Sequence, residues 1–112
     1  MTNSAKESAA LPTIDVSPEQ LAIVLDVLAR YVPEYEVWAF GSRARNTAKK
    51  YSDLDLVIIT NQRLPLAISA SIAHDFNESD LPWKVDVVDW AATSLSFREI
   101  IARDKVVLQY QQ

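Results

Sequence analysis

The chain has 112 residues, of which 49% are hydrophobic and 9% aromatic, and a formal net charge of −4. That is apolar material for one domain with its own core, while the acidic balance argues against direct nucleic-acid binding, which draws on Lys and Arg clustered over a face. The lack of cysteine excludes disulfides, thiolate metal sites and thiol nucleophiles; with no apolar run of roughly 18 residues to span a membrane and no export signal in residues 1–10, a soluble cytoplasmic protein is expected.

Residues 1–12, small and polar up to Pro12, read as a flexible tail, which leaves 13–112 as the domain. Ser17-Pro18-Glu19-Gln20 combines an N-cap serine, a proline at the first helical position and a capping-box glutamine. The pattern predicts a helix from 18 to about 32 with Leu21, Val24, Leu25, Leu28 and Val32 as its buried stripe. Pro33 ends it, and "EVWAF", 36–40, predicts a first strand. A short helix is predicted over 42 to about 47. "LDLVIIT", 54–60, is apolar at both parities beyond Asp55, the pattern of a central strand covered on both faces. Pro65 opens a second long helix over 65–78, with Leu64, Ile68, Ile72 and Phe76 at helical spacing. "WKVDVVDW", 83–90, predicts a third strand. Thr93 or Ser94 caps a last helix through about Arg103, with Phe97, Ile100 and Ile101 inward, and "KVVLQY" is left unassigned. The order α, β, α, β, α, β, α describes a single α/β domain with helices flanking one mixed sheet. His74 is expected on the surface, and Trp38, Trp83 and Trp90 in the core or an interface.

Chemistry concentrates in "AFGSRARNTAKKYSDLDLVII", residues 39–59. Gly41 is the only glycine of the chain. Followed by Ser42, it closes a strand and opens a helix, leaving backbone N–H groups that a phosphate can approach without meeting a Cβ. Arg43, Arg45, Lys49 and Lys50 lie within eight residues that contain no acid, which suits a compact polyanion and equally a solvated basic face. Asp53 and Asp55, two apart, project to one face of a strand. Two close carboxylates repel unless a cation lies between them, and all-oxygen ligands favour a hard ion such as Mg²⁺. An isolated Asp-x-Asp also fits a capped turn with Asp55 paired to an arginine. No serine has a His–Asp pair to activate it.

Gly41-Ser42 is separated from Asp53-Leu54-Asp55 by ten residues. In residue types, spacing and strand context this resembles the signature of the DNA polymerase beta-like nucleotidyltransferase superfamily. "GSRARNTAKKYSDLDLVI" is most similar to its minimal nucleotidyltransferases, many of them antitoxins encoded beside a HEPN-domain ribonuclease toxin. The resemblance covers roughly residues 17–103 and implies a third carboxylate on a later strand, matched by Asp86 in "KVDVVDW", flanked by valines where an uncompensated charge is expensive; Asp89, of opposite parity, is the less suited ligand. It further implies that Gly41 and Ser42 dock the β- and γ-phosphates of ATP and that Asp53, Asp55 and Asp86 hold two Mg²⁺ ions, with Asp86 as base or metal ligand. Arg43 and Arg45 are candidates for the triphosphate, Arg43 foremost, or for a structural ion pair. Asn46 stands where these proteins usually have glycine, and asparagine tolerates the left-handed backbone expected there. Because about 110 residues leave no second domain for an acceptor, the resemblance implies AMP transfer to a tyrosine or similar hydroxyl of a cognate HEPN toxin, docked near Trp90 and Phe97. Inhibition by contact without catalysis, and a small-molecule nucleotidyltransferase of the antibiotic-resistance type, are the alternatives.

Overall fold

The computed structural model describes residues 13–111, so the tail expected at 1–12 lies outside them. Helix α1 (Pro18–Tyr31) starts as its sequence dictates: Ser17 Oγ accepts from Gln20 N–H at 3.1 Å and Gln20 Oε1 accepts from Ser17 N–H at 2.8 Å, satisfying two donors that the first turn cannot pair internally. Val24, Leu28 and Val32 of the expected stripe are buried, Leu21 and Leu25 pack at its margin, and Val27 joins them.

Strand β1 (Val37–Phe40) leads through Gly41 into the single turn α2 (Ser42–Arg45), and β2 (Leu54–Ile58) follows. Helix α3 (Leu66–Asn77) precedes β3 (Val85–Asp89); a 3₁₀ turn over Trp90–Ala92 and α4 (Leu95–Asp104), capped by Ser94, lead to β4 (Val106–Gln109). "KVVLQY" therefore supplies a fourth strand. The sheet order is β3-β2-β1-β4, with β1 antiparallel to both its neighbours and β2 parallel to β3.

Strand alternation sorts β2 onto two cores. Leu54, Leu56 and Ile58 join Val24, Leu28, Ile72 and Phe76 under α1 and α3. Val57 joins Phe40 and Ile101 under α4. Burial on both faces is what the double apolar parity predicted. Strand β2 stops at Ile58, two residues early, because Thr60 turns into the next loop: its hydroxyl donates to Asp89 Oδ1, and Asp89 Oδ2 accepts Leu64 N–H at 2.7 Å. Asp89 is thereby committed to closing a loop, in line with its low suitability as a ligand.

In α4, Phe97 and Ile101 face the sheet, while Ile100 is 44% exposed rather than inward. Residues 100 and 101 differ by about 100° around a helix, and a helix covering one sheet face buries only one such stripe. Trp90 and Phe97, expected in a docking patch, stack edge-on against Trp38 and Phe40 at centroid separations of 5.3 and 5.7 Å. The large apolar side chains that α4 leaves exposed are Leu95 and Ile100. His74 is on the surface, as expected.

Arg43 is 5% exposed and forms the main cross-link of this half of the fold. Its Nε donates to Ser52 O at 2.9 Å, Nη1 to Asp15 O at 2.8 Å, and Nη2 to Lys49 O and Lys50 O at 3.2 and 3.0 Å. The guanidinium carbon lies 4.5 Å from the Trp83 ring centre. Arg43→Ala removes four hydrogen bonds from a buried charged donor to partly buried carbonyls, each worth about 1–3 kcal/mol. A stability loss of about 3 kcal/mol or more is expected, visible in thermal denaturation as a melting temperature roughly 12 °C or more lower, with Arg43→Lys recovering less than half.

Candidate active site

The antiparallel register of β1 and β2 sets Phe40 opposite Asp55, and the parallel register of β2 and β3 sets Asp55 opposite Asp86. Paired residues share a face, so Phe40, Asp55 and Asp86 form one row across the sheet on the α4 side, with Trp38, Val57 and Val88 as the apolar row beside it. Asp53, just before β2, is exposed. Asp86 is exposed as well, contrary to the costly mid-strand burial expected of it: β3 is an edge strand, and its carboxylate stays hydrated. A cleft of about 230 Å³ runs along that edge between β3 and α3, lined among others by Ser69, Ala73, Lys84, Asp86 and Val88.

Gly41 is required here twice. Its backbone (φ 78°, ψ −160°) lies in a region open essentially to glycine alone, and a Cβ at this position would fall on Oδ2 of Asp55, 3.3 Å from Cγ. The close approach foreseen for a phosphate is thus shared with the neighbouring carboxylate. Helix α2 is a single turn, too short for peptide dipoles to sum appreciably; what it offers an anion is individual N–H groups of Ser42 and Arg43, which have no acceptor within the helix. Asn46 ends α2 in the left-handed conformation (φ 60°, ψ 38°), its N–H donating to Ser42 O, as its tolerance for that backbone predicts.

The two arginines part company. Arg43 spends four of its five N–H groups on main-chain carbonyls, which removes the foremost candidate for phosphate contact and makes it the residue that shapes the loop. Arg45 is 49% exposed and donates through Nη1 to Asp104 Oδ2 at 2.7 Å. Asp104, at the end of α4, was not singled out in the sequence. The available signal was an acid in the last turn of a helix, where the dipole disfavours negative charge.

Burial, then the charges of Asp86 and Asp53, raise the pKa of Asp55 above the ordinary carboxylate range, with Arg45 opposing. Among the described residues no three acidic, His or Cys side chains converge into a ready metal cage. The donor set nevertheless fits a hard divalent cation: all-oxygen, trianionic, and under a repulsion that such a cation relieves.

Residues 21–109 match the family model described as a nucleotidyltransferase domain. The chain belongs to the nucleotidyltransferase domain family. Within it, the chain is 52% identical over 99 residues to the probable protein adenylyltransferase MntA of Haemophilus influenzae, covering 88% of this chain and 87% of that protein. Two solved complexes share the family fold. A toxin–antitoxin crystal structure with AMP-PNP aligns with a TM-score of 0.68 at 22% identity, over 82% of this chain and 74% of that one. The tri-AMPylated Shewanella oneidensis HEPN toxin in complex with MNT antitoxin aligns at 0.63 and 19% identity, over 84% and 72%. No helix among the described residues of this family member is long and apolar enough to cross a membrane.

Two outcomes follow from the crowding around Asp55. Gly41→Ala forces its methyl group onto the carboxylate and holds a positive φ, so a loss of roughly 1–2 kcal/mol is expected by denaturant titration, together with weakened nucleotide binding. For Asp55 the sign is opposite. A folded-state pKa above the unfolded value means that ionising Asp55 costs stability: the penalty is absent below the ordinary carboxylate range and complete above the raised pKa. Asp55→Asn should therefore melt higher than the parent at pH 7 without divalent cations. The gap should close as pH falls through the carboxylate range, and added Mg²⁺ should raise the melting temperature of the parent alone.

Proposed function

We propose that the protein is an antitoxin that transfers AMP from ATP to a hydroxyl, foremost a tyrosine, of a cognate HEPN-domain toxin in the cytoplasm. The observation that carries this reading is Gly41 backbone set against Asp55, with Asp55 in register with Asp86. Near-full-length similarity to a probable protein adenylyltransferase supports the reaction class and the protein acceptor. The solved toxin–antitoxin complexes, one with AMP-PNP and one with an AMPylated HEPN toxin, support nucleotide and partner.

In this reading the N–H groups beside Gly41 and Ser42 receive the β- and γ-phosphates, and Arg45 adds positive charge from the side of α2. Asp53, Asp55 and Asp86 would hold Mg²⁺, which when bound neutralises phosphate charge and lowers the pKa of an attacking hydroxyl. The acceptor oxygen bonds to the α-phosphorus as the bond to the bridging oxygen of the β-phosphate breaks, and pyrophosphate leaves. The hydroxyl proton passes to Asp86, whose exposed carboxylate on the edge strand is reachable by an acceptor arriving from outside the sheet. The row formed with Phe40 gives Asp55 a partly dry environment, which strengthens its electrostatic interactions.

Co-expression with the toxin partner tests the proposal. Cells should survive, and the toxin should gain the mass of one or more AMP groups only while Asp53 and Asp55 are intact. Protection that persists without mass gain in Asp53→Asn and Asp55→Asn would replace catalysis by inhibition through contact. AMP transfer to an aminoglycoside in place of the toxin would favour the small-molecule reading.

A further inference from the structure

Asp104 sits where a carboxylate has little reason to be. It is the last residue of α4, its side chain is 10% exposed, and both burial and the helix C-terminus disfavour its charge. The partner that compensates it is Arg45, whose Nη1 donates to Oδ2 at 2.7 Å. Arg45 in turn is fixed near the carboxylate row: its N–H bonds to Gly41 O at 3.0 Å, one turn back, and Gly41 lies against the Asp55 carboxylate. The Arg45 guanidinium leaves the chain from that same turn and reaches the end of α4. It is thus anchored by one N–H, near the reacting row, and half open to solvent with four N–H groups uncommitted.

We propose that Asp104 is a positioning residue for the nucleotide, holding the Arg45 guanidinium so that its remaining N–H groups meet the triphosphate as a fixed fork. This rests on the AMP-transfer reading above, which supplies the triphosphate. The chemistry follows from what the pair does to the arginine. A free surface arginine samples many rotamers, and a phosphate that captures it bears the cost of ordering it. With Asp104 in place that ordering is complete before the nucleotide arrives, and a planar fork meets phosphate oxygens bidentately, as a lysine in its place does not. The pair also makes the end of α4 part of the nucleotide site, although α4 contributes no group to the carboxylate row. A bridge that only stitched α4 to α2 would affect folding and leave the ligand indifferent.

Calorimetry with α,β-methylene ATP and Mg²⁺ separates the two roles. Asp104→Asn should weaken binding roughly three- to tenfold, Asp104→Glu should restore most of it, and Asp104→Asn should add nothing in an Arg45→Ala background. AMP, which lacks the β- and γ-phosphates, should bind all variants alike. Arg45→Lys keeps the charge opposite Asp104 and loses the fork; it should weaken the triphosphate by a similar factor with little change in melting temperature, which keeps the proposal testable if Asp104→Asn folds poorly. In transfer assays with Asp104→Asn the KM for ATP should rise while kcat stays within about twofold. Unchanged triphosphate affinity in Asp104→Asn or Arg45→Lys, or an equal loss for AMP, would overturn the positioning role and leave the AMP-transfer reading intact. A parent protein that binds no triphosphate would overturn that reading, and this one with it.

Discussion

A single buried guanidinium governs how the loop between α2 and β2 is folded. Arg43 gathers the carbonyls of Asp15, Lys49, Lys50 and Ser52 around one planar cation and caps it with the Trp83 ring. Among the described residues no carboxylate pairs with it, so its charge is dispersed over peptide dipoles and an aromatic face. A carboxylate would have served as one partner; four carbonyls from two separated stretches, residue 15 and residues 49–52, serve as a scaffold. The loop that delivers Asp53 to the start of β2 is wound on that scaffold, and Trp83 ties the same point to the approach of β3, which carries Asp86.

Around this fixed point the charge layout is graded by hydration. Asp53 and Asp86 stay in water at the sheet rim, while Asp55 between them is half withdrawn and raised in pKa. The domain therefore holds a repulsive row that folding alone does not relax. Hydrophobic burial on both faces of β2 supplies the stability against which that repulsion is sustained. This is the general pattern of sites arranged for a ligand rather than for the apo fold.

How much of this was legible depended on range. The capping box at Ser17, the double apolar parity of β2 and the left-handed Asn46 are local effects, and each was readable from a few residues. That Gly41 and the Asp53/Asp55 pair belong together was readable from the motif spacing; that Gly41 lies directly against Asp55 required the antiparallel register of β1 and β2. Sheet order was not readable, and with it went the exposure of Asp86 and the role of "KVVLQY", since pairing of β4 with β1 spans most of the chain. Nor could sequence separate Arg43 from Arg45. Two residues apart on a helix is about 200° of rotation, so one arginine turns into the loop and the other toward α4, and proximity along the chain to the phosphate end of the motif carries no information about which. Phe97 inward and Trp90 in the core or an interface were readable, but the partners they stack on were not, because Trp38 and Phe40 lie on a strand some fifty residues earlier.

Gly41 has a consequence beyond its contact with Asp55. It is the single glycine of the chain, against five prolines. Glycine widens and proline narrows the range of conformations open to an unfolded backbone. Chain flexibility is thus reserved for the one position where the fold needs a positive φ beside a carboxylate, and everywhere else the denatured ensemble is comparatively restricted. Less conformational entropy is surrendered on folding, and that saving, which leaves no mark among the contacts of the native state, offsets part of the electrostatic cost of the row beside it.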